Sequence, residues 1–174
     1  MKLIGSLTSP YVRKARIVLA EKKIEYEFEL DSPWTAETKV PNFNPLGKIP
    51  VLVLDDSTVL FDSRVIVEYI DSAAPNNKLT PASNRDRAEV KRWGAVADGI
   101  CDAAALVFLE KKRPKEQQSD EWIARQEGKI ILGLEYIAEQ LGENAWCTGN
   151  HFSLADIGVG CEIGRASCRE RVSS

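Results

Sequence analysis

The first 70 residues change their hydrophobic period several times, as in a domain that mixes strands and helices. Residues 2–7 form a short apolar run that predicts a buried strand. Thr8 and Ser9 then precede a proline, which is typical of a helix start, and apolar positions carry this helix to about residue 23. In residues 25–30 aromatic and leucine positions alternate with glutamates, which predicts a strand with one solvent-exposed face.

A hairpin and a helix follow in residues 51–73. Residues 51–54 and 58–61 predict two strands joined by an acidic turn. Asp62 and Ser63 open a helix. Its expected apolar face consists of Val65, Ile66, Tyr69 and Ile70. The order βαβ followed by ββα is the thioredoxin arrangement, a mixed sheet flanked by helices.

The second half of the chain has only helical periodicity. A linker-like stretch, residues 73–84, separates the halves, and helices are predicted over 85–112 and 121–141. The expected inward positions of the second helix are Trp122, Gln126, Lys129, Ile130, Leu134, Ile137 and Leu141. Ser153 and Asp156 form a variant capping box that should start a buried helix at about residue 154. We therefore predict an α/β domain over 1–75 and an all-helical domain over 85–161.

Composition narrows the possible functions. The chain has 174 residues, 44% of them hydrophobic, and a formal net charge of −3, so nothing favours nucleic acid or an anionic membrane as a partner. No apolar run reaches the ~20 residues of a membrane helix, and no signal peptide begins the chain, so a cytoplasmic location is expected. Four scattered cysteines without a C-x-x-C pair, together with a single histidine, His151, argue against a dithiol centre or a metal site.

Three short segments contain residues suited to binding and chemistry. Pro50 precedes a strand, and a cis bond there would turn the N–H and C=O of Ile49 outward to pair with an extended peptide; an ordinary proline turn is the alternative. Asp62 and Ser63 at a helix start could hold the ammonium and carboxylate of an amino acid, or serve only as a cap. Ser9 could stabilise a ligand thiolate beside a helix N-terminus, or likewise only cap its helix.

The segments 6–22, 44–56 and 60–70 together resemble the glutathione transferase family. The resemblance implies a thioredoxin-like N-terminal domain with a cis-proline at Pro50. It implies that glutathione pairs with the backbone of Ile49 and that its γ-glutamyl end is bound by Asp62 and Ser63, where many relatives have Glu or Gln in place of Asp62.

Within that family the residue that activates the thiol is Tyr, Ser or Cys. Ser9 is the expected catalytic residue here, with Thr8 and Tyr11 as rival hydroxyl donors, and cysteine-type redox chemistry is disfavoured. The resemblance implies an enzyme that conjugates the glutathione co-substrate to a small electrophile, needs no metal and forms a homodimer. A non-catalytic binding protein of the stringent-starvation type, which contacts RNA polymerase, is the alternative.

The resemblance ends at about residue 162. Residues 162–174 are polar, rich in arginine and without helical periodicity, whereas the family would complete the helix and add others. We therefore expect a truncated helical domain followed by a non-native tail, and reduced stability relative to a longer relative.

Overall fold

A computed structural model describes residues 1–161, and the predicted non-native tail lies outside the described residues. The chain divides into two compact units, the first Met1–Leu79 and the second beginning at Thr80. The first unit contains β1 (Lys2–Gly5), α1 (Pro10–Glu21), β2 (Glu27–Leu30), a 3₁₀ turn (Val40–Asn42), β3 (Val51–Val53), β4 (Val59–Phe61) and α2 (Ser63–Ala73). The second contains α3 (Asn84–Lys111), a 3₁₀ turn (Lys115–Gln117), α4 (Asp120–Leu141) and the helical residues 154–161. The predicted fold class, a thioredoxin-like α/β domain followed by helices, is confirmed.

The four strands form one mixed sheet in the order β2-β1-β3-β4. β1 is parallel to β2, whereas β3 is antiparallel to both β1 and β4. Ile4 is paired with Val51, and Val51 is paired with Phe61. The ends of β1 and β4 and the start of β3 therefore lie at the same end of the sheet.

The sheet is covered on both faces. Ile4 and Val51 pack with Val40 of the 3₁₀ turn in one cluster. Leu3 and Gly5 point to the opposite face because side chains alternate along a strand. There α1 lies so close that a Cβ on Gly5 would come within 2.5 Å of a Val12 methyl. This close approach fixes the start of α1 against the end of β1.

A buried ion pair joins the two helices of the first unit. Lys22, directly after α1, and Asp71 of α2 lie with Nζ and Oδ1 2.6 Å apart, and their side chains are 0% and 5% exposed. The same ammonium donates to the carbonyls of Asn76 and Asn77 at 2.7 Å each. Asp71 Oδ1 also accepts from the Leu79 N–H at 2.9 Å. The pair thus holds the chain that follows α2 as well as the helices.

The predicted apolar face of α2 is partly wrong. Ile66 and Ile70 are buried as expected, but Val65 and Tyr69 are 49% and 38% exposed. The buried stripe instead includes Val67 and Asp71. The buried positions of α2 are three and four residues apart and so share one face, which also holds Asp71 against Lys22 and leaves Val65 and Tyr69 outside it.

The helices of the second unit pack around one apolar cluster. Its buried members are Val90, Trp93, Ala97, Ile100, Ile137, Ala155 and Val159. The expected inward face of α4 is correct at Ile137 and at the fully buried Gln126. It is wrong at Trp122, which is 41% exposed while Ile123 is buried, and at Lys129, which is also exposed. Among residues 1–161, no helix has the length and apolar character that crossing a membrane requires.

The capping box before residue 154 is confirmed. The Ser153 N–H donates to Asp156 Oδ2 at 2.8 Å, and the Ser153 hydroxyl oxygen accepts from the Ala155 N–H at 3.2 Å. Residues 154–161 are helical, as predicted.

Candidate functional site

The strand register gathers the predicted site residues at one end of the sheet. Ser9 follows β1, Ile49 precedes β3, and Asp62 and Ser63 follow β4. Because Ile4, Val51 and Phe61 are paired across these three strands, all four residues lie at the same sheet end. Segments far apart in sequence therefore form one surface in the first unit.

Ser9 caps α1 at this surface. Its Oγ accepts a long hydrogen bond of 3.4 Å from the Val12 N–H, and Pro10 occupies the first helical position, as the sequence predicts. Accepting this bond leaves the hydroxyl proton available for an acceptor outside the protein. The rival hydroxyl of Thr8 already shares a 3.0 Å hydrogen bond with Ser6. A sulfur beside Ser9 would thus meet both a donor and the positive end of a helix dipole.

Ile49 presents its backbone at the start of β3. The Ile49–Pro50 peptide bond is cis. Ile49 is half-buried, and no hydrogen bond within residues 1–161 engages its N–H or C=O. A free donor and acceptor on one residue can pair with the backbone of an extended peptide.

Ser63 begins α2 and is nearly buried, at 5% exposure. Within the part of the chain that the structure describes, its hydroxyl forms no hydrogen bond. N–H groups in the first turn of a helix lack intrahelical acceptors, and with the helix dipole they favour an anion. The hydroxyl and the N–H of Ser63 can therefore both donate to a carboxylate.

Asp62 is the N-cap of α2, with a left-handed φ of 69° that is unusual for a residue other than glycine. Its Oδ1 accepts from the Arg64 N–H at 2.8 Å. The Arg64 side chain also pairs with both carboxylate oxygens, Nε with Oδ1 at 3.2 Å and Nη2 with Oδ2 at 3.0 Å. The Arg64 guanidinium holds the pKa of the Asp62 carboxyl below its ordinary value, and the charge of Lys14 acts in the same direction.

Comparisons with known proteins identify the family of this chain. The family model for the N-terminal domain of glutathione S-transferases matches residues 8–73. The uncharacterized GST-like protein YibF of Escherichia coli K12 is 39% identical over 97% of this chain and 83% of its own length. This chain belongs to the glutathione transferase family.

Solved structures of family members match the fold closely. A glutathione S-transferase from Methylobacillus flagellatus with glutathione bound is 44% identical, with a TM-score of 0.94 over 98% of this chain and 84% of that one. One from Methylobacterium radiotolerans, in complex with glutathione sulfonate, is 39% identical with a TM-score of 0.92 over 95% of this chain and 78% of that one.

Sequence reasoning missed Arg64 as part of the site. In a regular helix, residues two apart do not face each other, so the spacing of Asp62 and Arg64 gives no signal of a contact. The contact forms because Asp62 is the N-cap of α2, so its carboxylate accepts from the Arg64 N–H in the first turn and also pairs with the Arg64 guanidinium.

The cysteines among residues 1–161 all belong to the second unit. Among residues 1–161, no group of three or more His, Cys, Asp or Glu side chains could hold a metal ion. Cys101 and Cys161 are buried, and Cys147 is half-buried beside Asp156, which accepts from its backbone N–H at 2.7 Å. Burial, and then the negative charge of Asp156, raise the pKa of the Cys147 thiol to about 12.

Cys147 should consequently resist alkylation. With a pKa of about 12, about one thiol in ten thousand is ionised at pH 8, and the thiolate is the reactive form. We expect iodoacetamide to label Cys147 on the order of a thousand times more slowly in the folded protein than in urea, measured by peptide mass spectrometry. Equal rates in the two states would contradict the raised pKa.

Proposed function

We propose that this protein is a glutathione transferase that conjugates the thiolate of glutathione to a small electrophile. The observation that carries the proposal is the strand register, which brings a helix-capping hydroxyl, an open backbone pair and a second helix N-terminus to one sheet end. Glutathione in the matched structure from Methylobacillus flagellatus supports it.

Each part of glutathione has a partner of suitable chemistry. The cysteinyl backbone pairs with the N–H and C=O of Ile49 as an added strand. The γ-glutamyl carboxylate accepts from the Ser63 hydroxyl and the N-terminus of α2, beside Asp62. The thiol then lies against Ser9, whose hydroxyl donates to the sulfur.

Catalysis follows from stabilising the thiolate. A hydrogen bond to a charged group is worth roughly 1.5–3 kcal/mol, so Ser9 would lower the thiol pKa by about one to two units. The thiol proton leaves to solvent, the sulfur lone pair forms a carbon–sulfur bond, and the leaving group departs with its bonding electrons. A chloroarene, for example, releases chloride.

The decisive test combines calorimetry with glutathione and turnover of chlorodinitrobenzene. Binding with turnover supports the enzyme. Binding without turnover favours the non-catalytic alternative, and no binding contradicts the proposal. The homodimer, the cytoplasmic location and the absence of a metal cofactor stay predictions from the sequence.

Ser63→Ala should weaken glutathione binding by roughly tenfold or more, because a donor to the γ-glutamyl carboxylate is lost. Ser72→Ala is the matched control, since Ser72 is an exposed serine on the same helix. Titration calorimetry of both variants measures the effect. Equal dissociation constants for the Ser63→Ala and Ser72→Ala variants would remove Ser63 from the binding site.

A further inference from the structure

We propose that Arg64 sets the selectivity of the γ-glutamyl subsite, by occupying the Asp62 carboxylate so that recognition depends on the ligand's α-carboxylate and little on its α-ammonium. This inference rests on the proposed function and concerns which thiol peptides the site accepts. It predicts that peptides whose γ-glutamyl group lacks a free amine are also ligands.

The contacts of Arg64 leave few acceptor positions on Asp62 for the α-ammonium of the ligand. A carboxylate has about four acceptor positions on its two oxygens. Arg64 uses three of them, through its backbone N–H, Nε and Nη2. Two of the three bonds come from a guanidinium that is itself a cation. An incoming ammonium would therefore meet one open position and a like charge beside it.

The contact with Arg64 orients the Asp62 carboxylate. The bond from the Arg64 N–H is the cap of α2, so it holds the Asp62 carboxylate over the helix rather than out toward a ligand. The Asp62 and Arg64 side chains are 42% and 68% exposed, so the pair can exchange with a ligand but at a cost. An exposed pair of this kind is worth up to about fivefold in an equilibrium constant.

The Ser63 donors are not taken by this pair. The hydroxyl and N–H of Ser63 form no hydrogen bond within residues 1–161, and the dipole of α2 adds to them. An anion in the subsite can therefore accept from the open donors of Ser63. A cation would meet the Asp62 carboxylate, whose charge Arg64 already neutralises.

The test compares glutathione with glutaryl-cysteinyl-glycine, which is glutathione without its α-amino group. Calorimetry gives the ratio of the two dissociation constants, and this ratio isolates the ammonium because any effect on the shared carboxylate cancels. We expect the wild-type protein to bind the two within about threefold of each other. Arg64→Gln should raise the preference for glutathione by about fivefold.

Two further variants test whether Arg64 acts through Asp62. Asp62→Asn keeps the cap and tolerates the left-handed φ, and in that background Arg64→Gln should no longer change the ratio. Arg92→Gln is the matched control, since Arg92 forms an exposed 2.8 Å pair with Glu89 in α3, and it should leave the ratio unchanged.

The outcomes separate this inference from the proposed function. A wild-type preference for glutathione above tenfold that Arg64→Gln does not alter would overturn the inference while leaving glutathione binding intact. A wild-type protein that binds neither peptide would overturn the proposed function and the inference with it.

Discussion

Replacing Lys22 with Met is expected to lower the free energy of unfolding by about 3–5 kcal/mol, the usual cost of removing one partner of a buried ion pair. The ammonium is fully buried and contacts Asp71 Oδ1 and the carbonyls of Asn76 and Asn77. Its loss leaves the buried Asp71 carboxylate without its opposite charge, although the Leu79 N–H still donates to it, and removes the ammonium donor to the carbonyls of Asn76 and Asn77. Urea denaturation followed by circular dichroism measures the change.

The neighbouring lysine provides the control. Lys23 is exposed, so Lys23→Met removes a charge at almost the same place without breaking a buried contact. Its midpoint should stay close to that of the wild-type protein. Lys22→Met combined with Asp71→Leu should recover part of the loss, because no unpaired charge then stays buried. A Lys22→Met midpoint equal to that of Lys23→Met would show that the pair contributes nothing.

Ser9→Ala is expected to reduce kcat/KM for glutathione conjugation by roughly 10- to 100-fold, the equivalent of losing a hydrogen bond to a charged sulfur. The pKa of the bound glutathione thiol should rise by about one to two units toward its value in water. Ultraviolet absorbance of the thiolate against pH measures this directly. The pKa readout separates activation of sulfur from a general loss of structure.

Controls for Ser9 must account for its role as a helix cap. Removing the cap costs about 1 kcal/mol of stability by itself. Ser119 caps α4 in the same way, with its Oγ accepting from the Trp122 N–H at 3.2 Å, so Ser119→Ala should reduce stability without changing the thiol pKa. Thr8→Ala and Tyr11→Phe test the rival hydroxyls. Unchanged turnover in Ser9→Ala would refute the mechanism, and a large loss in either rival variant would transfer the role to that residue.

The fold could be predicted because its signals are local. Alternation in residues 25–30, the proline after Ser9, and Asp62-Ser63 before an apolar stripe each specify an element from neighbouring residues alone. The capping box at Ser153 is a signal of the same kind. These signals also gave the three segments of the candidate site, which the strand register then brings to one sheet end.

Two features of the structure depend on contacts that no local pattern encodes. Lys22 and Asp71 are distant in sequence and each resembles a surface residue, so the buried pair could not be foreseen. For the same reason Asp71 is not expected on the buried face of α2, which leaves Val65 and Tyr69 exposed. The pairing of the Arg64 guanidinium with Asp62 depends on the side-chain conformations of two neighbouring residues at a helix start, which sequence periodicity does not report.

The antiparallel pairing of β3 and β4 also places their connecting turn, residues 55–58, at the sheet end opposite Ser9, Ile49 and Ser63. All four turn residues are exposed. One end of the sheet thus carries the candidate site, whereas the other carries a chain reversal in which Asp55 pairs with the N-terminal ammonium of Met1. Because the strands separate the two ends, changes in the length or sequence of residues 56–58 should alter this outer surface and leave the backbone of the candidate site in place.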